Sequence, residues 1–204
     1  VIIGSNQAVL NEVDLDFCIE RDIRIIRRLS GGGAVYHDLG NFNYSFIHGK
    51  TEQPLSARFL IPVVDALHAM GIPVEIQKRK DLWIGDNKIS GTASHLSGGR
   101  ELHHGTLLYN SNLEMLKRAL RSEDRTLVKK ATASVVSPVC NIRDFLLERI
   151  GTAPEIESFY QQWIDQMAQS LRVKGSISFT RTDVAAIERL QKDKYTRRNW
   201  NYRK

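Results

Sequence analysis

Arg27-Arg28-Leu29-Ser30-Gly31-Gly32-Gly33-Ala34-Val35-Tyr36-His37-Asp38-Leu39-Gly40-Asn41 sets two arginines directly before three consecutive glycines. Arg24-Ile25-Ile26 in front reads as the end of a strand, and Phe42-Asn43-Tyr44-Ser45-Phe46-Ile47 behind alternates like a second one. Glycines between strands weaken a sheet, because each loses backbone freedom and packs no side chain. Their use is close approach. Bare N–H groups along a glycine-rich turn form a concave anion site, and Arg27 and Arg28 supply counter-charge, a combination that suits a phosphate. No Gly-Lys-Ser/Thr follows and no helix opens, so the run is not the loop of the strand-turn-helix NTPases. A glycine-rich hairpin with two solvated arginines is the plainer alternative.

The 204 residues fit one domain, or one with a small appendage; 42% hydrophobic and 25% charged content provides for a sizeable core. No apolar run reaches the roughly 18 residues of a membrane span. Val1-Ile2-Ile3-Gly4 has neither an initiator Met nor a signal peptide's charged start, and looks like a chain entered mid-fold. Two cysteines, Cys18 and Cys140, give no disulfide framework and suit a reducing cytoplasm. The net charge of +6 is scattered, apart from Arg197-Arg198 and Arg203-Lys204, with no aromatic-interleaved basic stripe. Nucleic acid and membrane are therefore not expected partners, whereas small acidic acceptor domains are compatible.

Along the chain, Val1-Ile2-Ile3 reads as a strand and Glu12–Arg21 as a short helix. Phe59, Leu60, Val63, Val64, Leu67 and Met70 recur at helical spacing, with Pro62 marking a kink or a start and Gly71 the end. Pro73–Gln77, Asp81–Ile84, Lys88–Ser94 and Leu102–Tyr109 read as four strands, with Asp86-Asn87 a turn. Asn112–Arg121 is a helix, and Arg125–Val139, carrying Lys129-Lys130, a long polar loop. A helix over about Asn141–Ile150 follows, then one opened by the capping box Thr152-x-x-Glu155 with Pro154 in its first turn. Ile156, Phe159, Tyr160, Trp163, Ile164, Met167, Ala168 and Leu171 form that helix's core stripe. Ser176–Phe179 alternates as a strand, and Thr182 caps a last helix to about Lys194. Strands first and helices later predict an α+β fold with a mostly antiparallel sheet and flanking helices.

A second stretch narrows the chemistry. Asp81-Leu82-Trp83-Ile84-Gly85-Asp86-Asn87-Lys88-Ile89-Ser90-Gly91-Thr92-Ala93 is followed by Arg100-Glu101-Leu102-His103-His104-Gly105-Thr106-Leu107-Leu108. With the arginine–glycine run, these resemble the motifs of the lipoate–protein ligase family, within the biotin/lipoate ligase superfamily. The resemblance runs from Val1 through Ser134–Asn141, and more loosely to Trp200-Asn201-Tyr202. It implies a single catalytic domain over residues 1–204, with a segment before the first matched strand and a smaller C-terminal accessory domain lying outside this sequence.

The resemblance implies a reaction as well. Lipoate or octanoate is activated by ATP, with magnesium, as an acyl-adenylate, then passed to a lysine of an acceptor domain. Expected acceptors are apo lipoyl domains of 2-oxoacid dehydrogenase E2 subunits and the glycine cleavage H protein; a cytoplasmic monomer is expected. Arg28 is similar to the arginine that contacts the nucleotide phosphates, with Arg27 structural instead. Gly31, Gly32, Gly33, Ala34, Val35 and Tyr36 match the phosphate cradle, and Asn41 the polar residue near phosphate and metal. Lys88 matches the active-site lysine between acyl carbonyl and phosphate, and with Gly91, His104 and Gly105 the lipoate-lining residues.

His103 and His104 sit on opposite faces of a strand, so they cannot jointly bind a metal; no dedicated protein ligand to a metal is expected. His37-Asp38 suits a cap or turn. Two other readings stay open: a cofactor-free octanoyl or lipoyl transferase working through a Cys140 thioester, and a non-catalytic paralogue that binds lipoyl domains. Gln77-Lys78-Arg79-Lys80, before the Lys88 strand, holds no cysteine, and no base stands beside Cys140 in sequence.

Overall fold

In the computed structural model, residues 1–77, 79–121, 128 and 130–203 are described. Lys78, Lys129, Lys204 and the Arg125–Leu127 start of the long loop lie outside them. The chain forms two compact units. One holds residues 1–36, 114–135 and 174–204; the other holds 37–113 and 136–173.

The first unit is built on two short parallel strands, β1 (Ile2–Ile3) and β2 (Ile26–Arg27). The expected helix over Glu12–Arg21 is two: α1 (Val9–Glu12), then α2 (Leu15–Glu20), whose N-cap Asp14 accepts from the Phe17 N–H. Val1, Ile3, Val9, Val13, Phe17 and Ile25 make the core, joined by Cys18 as a buried small hydrophobe and by Ala119 of α4 (Leu113–Ala119). The glycine run is not a hairpin. β2 pairs with β1, whereas the next strand, β3 (Asn41–Gly49), belongs to another sheet; Val35 instead bridges back to Ile2.

Arg27 is the largest fully buried side chain among the described residues. Its guanidinium donates to the carbonyls of Gly4, Ser5, Gln7, Trp200, Asn201 and Arg203, over 2.6–3.3 Å. Its own backbone N–H donates to Asn201 Oδ1, and its carbonyl accepts from the Trp200 indole. The helix α8 (Arg198–Asn201) is thereby knitted to β2.

The sequence pattern is less faithful further on in this unit. Ser176–Phe179 forms no strand: Ile177 is 99% exposed, and an alternating run without a strand edge beside it has nothing to pair with. The helix expected to be last is α7 (Arg181–Leu190), capped by Thr180 and not Thr182, and α8 follows it. Thr180 Oγ1 accepts from the Asp183 N–H while Asp183 accepts from the Thr180 N–H, a reciprocal box. A π-helical turn, Gln191–Tyr195, continues it.

The second unit carries two three-stranded antiparallel sheets. One is β3–β8–β7, with β7 at Thr92–Ser97 and β8 at Arg100–Leu108. The other is β4 (Glu75–Ile76), β5 (Leu82–Ile84) and β6 (Asn87–Ser90). The expected strand Lys88–Ser94 is therefore split at Gly91 between two sheets, and its β7 half runs on to Ser97. The β5–β6 turn falls on Gly85-Asp86, one residue earlier than expected, because Gly85 takes the positive φ the tight turn needs. A 3-10 turn (Ala57–Leu60) leads into α3 (Ile61–Ala69), which starts at Ile61 with Pro62 in its first turn, so Pro62 marks a start and not a kink. α5 (Ile142–Ile150) and α6 (Ile156–Ser170) complete the unit.

Phe159 and Trp163 of α6 are buried with Leu60, Val63, Leu67, Leu82, Ile89 and Leu107, and Phe159 stacks on Tyr109 at 4.1 Å. Tyr160, Ile164 and Leu171 are exposed, so the stripe is narrower than its spacing suggests. The capping box at Thr152 does not form. Glu155 is the N-cap, extended and without a side-chain cap, and Pro154 stays outside the helix with its carbonyl taken by the Tyr109 hydroxyl.

Truncating Arg27 leaves several buried carbonyls without donors, each costing about 1–3 kcal/mol. Arg27→Ala is expected to lower stability by at least about 3 kcal/mol in urea unfolding, and Arg27→Lys to recover little, since an ammonium cannot reach a fan of six acceptors.

Candidate functional site

The two halves of the expected site lie in different units. Arg28, Gly31, Gly32, Gly33, Ala34, Val35 and Tyr36 belong to the first, and Asn41, Lys88, Gly91, His104 and Gly105 to the second.

In the first unit the Arg28 guanidinium is wrapped by its own loop. Nη2 donates to the carbonyls of Gly31 at 2.6 Å and Gly33 at 2.7 Å, Nε to Ser30 Oγ at 3.1 Å, and Nη1 to the Ile2 carbonyl at 3.2 Å. Burial lowers its pKa to about 10, still cationic near neutrality. A trans peptide sets each N–H opposite the preceding carbonyl. With the Gly31 and Gly33 carbonyls turned onto Arg28, the N–H groups of Gly32 and Ala34 point away from it. The loop thus presents donors on one side with a fixed positive charge behind them, an anion-binding arrangement.

Backbone geometry explains the glycines. Gly32 has φ +86°, and a Cβ on Gly33 would lie 2.9 Å from Ser134 Oγ. That hydroxyl accepts from the Ala34 N–H at 2.9 Å and from Gln7 Nε2 at 2.9 Å, while the Ser134 N–H donates to the buried Glu12 carboxylate. An oxygen already sits on one of the loop's donors.

In the second unit, Lys88 stands opposite Trp83 in the β5–β6 hairpin. Asp81 shares Trp83's face by strand alternation, which makes it the diagonal neighbour of Lys88. Lys88 Nζ lies 2.9 Å from Asp81 Oδ2, with side-chain exposures of 21% and 9%. The extra residue Ile89, opposite the Leu82–Trp83 step, makes a bulge that sends Ile89 fully into the core beside the half-exposed lysine. The backbone of Lys88 is held from its other side too. Its N–H donates to the Pro138 carbonyl at 2.9 Å, and its carbonyl accepts from the Cys140 N–H at 3.3 Å. Sequence reading quoted Asp81 without giving it a role, and could not see that residues 138–140 run beside Lys88.

Gly91 and Gly105 have separate steric reasons. The Lys88 amine passes over Gly91, 3.5 Å from where a Cβ would stand. A Cβ on Gly105 would fall 2.3 Å from the Tyr44 hydroxyl, because that ring lies across β8 toward Ser90 Oγ, 3.4 Å away. Burial drives the Tyr44 pKa far up, so the phenol stays neutral. His104 is half-buried on one face of β8 and His103 buried on the other, as alternation predicts. Asn41 is a turn staple: its Oδ1 accepts from the Asp38 N–H, and Asp38 in turn accepts from the Gly40 and Asn112 N–H groups. Its amide oxygen accepts one hydrogen bond within the turn and keeps a second lone pair, and its Nδ2 donates to the Phe42 carbonyl at 3.4 Å. Lys129 lies outside the described residues.

Cys140 has the environment of an inert thiol. Burial, then Asp144 and Glu148, push its pKa up to about 11, where a nucleophilic cysteine needs the opposite.

Residues 1–168 match the model of the lipoyl protein ligase A/B catalytic domain, and the chain belongs to that family. Lipoate-protein ligase LplJ of Bacillus subtilis is 35% identical over 207 aligned residues, covering 99% of this chain and 61% of its own length. Among solved structures, the bipartite lipoate protein ligase of Thermoplasma acidophilum, studied with its E2 lipoyl domain, superimposes with TM-score 0.81 at 27% identity, over 98% of this chain and 79% of that one. A lipoate-protein ligase A bound with ATP gives TM-score 0.80 at 26% identity, over 98% and 81%. The chain thus spans about three fifths of the length of the B. subtilis relative.

Asp81→Asn keeps the shape and removes the charge opposite Lys88. It is expected to leave the fold intact but let the amine move, lowering turnover about 10-fold or more with KM much less affected; steady-state kinetics in the ligase assay would show the split. An equal effect on both constants would mean that Asp81 does not position Lys88.

Proposed function

We propose that this chain is the catalytic part of an ATP-dependent lipoate–protein ligase. The observation that carries the reading is the half-buried Lys88–Asp81 pair, set in the Lys-Ile-Ser-Gly-Thr-Ala motif of a chain in this family. In the first step a lipoate carboxylate oxygen attacks the α-phosphorus of ATP, and pyrophosphate leaves. In the second the acceptor lysine nitrogen attacks the acyl carbon, AMP leaves, and the amine gives up a proton.

Negative charge gathers on phosphate and acyl oxygens in both steps, so fixed cations and N–H donors aimed there lower the barriers. The Gly32 N–H group, backed by Arg28, suits a phosphate oxygen, while the Ala34 N–H is held by the Ser134 hydroxyl. Lys88, kept in place by Asp81 and by the 138–140 backbone, suits the oxygen of the scissile phosphate or the acyl carbonyl. Magnesium enters with the ATP phosphates. Octanoate as an alternative acyl group, lipoyl domains and the glycine cleavage H protein as acceptors, a monomeric state and a cytoplasmic location belong to the same proposal. The free thiols of Cys18 and Cys140 suit that compartment.

Lipoate-dependent exchange of pyrophosphate into ATP isolates the first step. The wild-type chain is expected to catalyse it, and Lys88→Ala to lose about 10²–10³-fold in rate. Lys88→Arg should not rescue, because a planar guanidinium does not replace a compact ammonium. Normal exchange by Lys88→Ala would remove Lys88 from the chemistry, and no exchange by the wild type would remove the ligase reading.

The transferase reading has a separate test. Cys140→Ser is expected to retain ligation within about two-fold, in line with a thiol that is not ionised near neutrality. An acyl-thioester trapped on Cys140 by mass spectrometry would reverse the assignment.

A further inference from the structure

His48, Glu101 and His103 stand together on one face of the β3–β8–β7 sheet, and the ligase chemistry uses none of them. Glu101 and His103 are two apart on β8 and so share a face; antiparallel register sets His48 of β3 directly opposite Glu101. One ligand atom from each, a ring nitrogen from either histidine and a carboxylate oxygen, all lie within 4.8 Å of one another.

The hydrogen bonds around each group favour a cation, against the one opposing charge of the Lys80 ammonium, which acts on His103. The carbonyl of Gly49 can only accept, so His48 Nδ1, 2.8 Å away, carries its proton and leaves Nε2 with a free lone pair. His103 Nδ1 lies 2.8 Å from Ser94 Oγ, and Nε2 lies 3.0 Å from Glu101 Oε2. Each ring therefore has an oxygen on Nδ1 to fix its orientation, the outer support that metal-binding imidazoles show. Glu101 is 1% exposed and accepts from the Thr51 N–H and hydroxyl and the Leu55 N–H, at 2.7–2.9 Å. Among the described residues its ion-pair partner is His103 alone. A buried carboxylate surrounded by neutral donors calls for a positive charge, and buried charges are paired or bind metals.

We infer that His48, Glu101 and His103 form a binding site for a divalent transition-metal ion of zinc's class, with two imidazole nitrogens and one carboxylate oxygen as ligands. That ligand set suits zinc, cobalt or nickel and not magnesium or calcium, which take oxygen ligands. Binding moves the His103 proton from Nε2 to Nδ1, and Ser94 changes from donor to acceptor, so no proton need be released. The three ligand atoms must close to roughly 3.3 Å from one another around the ion. The exposed His48 closes that gap by rotating its side chain at the expense of its Gly49 hydrogen bond, while Phe59, stacked on His103 at 4.4 Å, holds the inner ring. Solvent completes the coordination. Through Glu101 the ion would also fasten the Thr51–Leu55 segment to the sheet. The expectation of no dedicated protein ligands rested on His103 and His104; the ligand that completes this site comes from another strand.

Calorimetric titration of the metal-stripped 204-residue chain tests the inference, with zinc and cobalt as probes and magnesium as the control. One equivalent of zinc should bind and raise the melting temperature, and cobalt should give the visible absorption of a low-coordinate nitrogen–oxygen site. His48→Ala, at an exposed position outside the ligase machinery, should weaken zinc binding about 10–100-fold and leave the melting temperature of the metal-free protein unchanged. Glu101→Gln should abolish binding. Failure of the wild type to bind one equivalent, or equal affinity in wild type and His48→Ala, would overturn the site.

Discussion

Two neighbouring guanidinium groups leave β2 in opposite directions, and the first unit is organised by that divergence. Strand alternation demands it: what Arg27 faces, Arg28 cannot. Arg27 turns inward and gathers carbonyls from both ends of the chain. Arg28 turns onto the glycine run and pulls its carbonyls over. Because the peptide is planar, fixing the carbonyls fixes the N–H groups, so the donor side of the loop is set before any anion arrives. Preorganisation of this kind is what makes dipoles effective in stabilising developing charge.

The second unit solves a different problem, that of holding one ammonium group at a partly exposed position. A lysine has four rotatable bonds and a strong preference for water. Here it is restrained at three points: the Asp81 carboxylate at its tip, Gly91 under its stem, and the Pro138 and Cys140 backbone beside its peptide. The bulge at Ile89 contributes by giving the core a side chain next to Lys88 without drawing the lysine inward. The pair is largely out of water, so it fixes the position of the amine, and removing one partner alone would leave a charge that is costly to keep there.

Local patterns were legible where the chemistry was local. The glycine run, the placing of Pro62 in the first turn of α3, the alternation of His103 and His104 and the burial of Phe159 and Trp163 could all be read from spacing. The failures share a cause. Thr152-x-x-Glu155 has the letters of a cap, but the Tyr109 hydroxyl claims the Pro154 carbonyl from 45 residues away. Lys88–Ser94 alternates like one strand, yet Gly91 lets it change sheets. The partner of Lys88 and the tasks of Arg28, Asn41 and Gly105 depend on cross-strand neighbours or on which way a carbonyl points. Composition carries neither.

The helix α7 has no buried residue, and Val184, Ile187 and Leu190 are each more than 40% exposed. A ten-residue helix without a packed face is marginal in water, so its helicity depends on the Thr180–Asp183 box and on Arg189 paired with Asp193. The end of the chain beyond it is different, because Arg27 grips the Trp200, Asn201 and Arg203 carbonyls. That grip uses neutral dipoles, which neither titrate nor pair as ions, so it persists in acid and in salt. Residues 174–203 thus form a strap with a weak middle, held fast at its far side. A protease would cut it first between residues 174 and 180, and the released piece would stay bound to the first unit, visible on a denaturing gel and invisible to gel filtration.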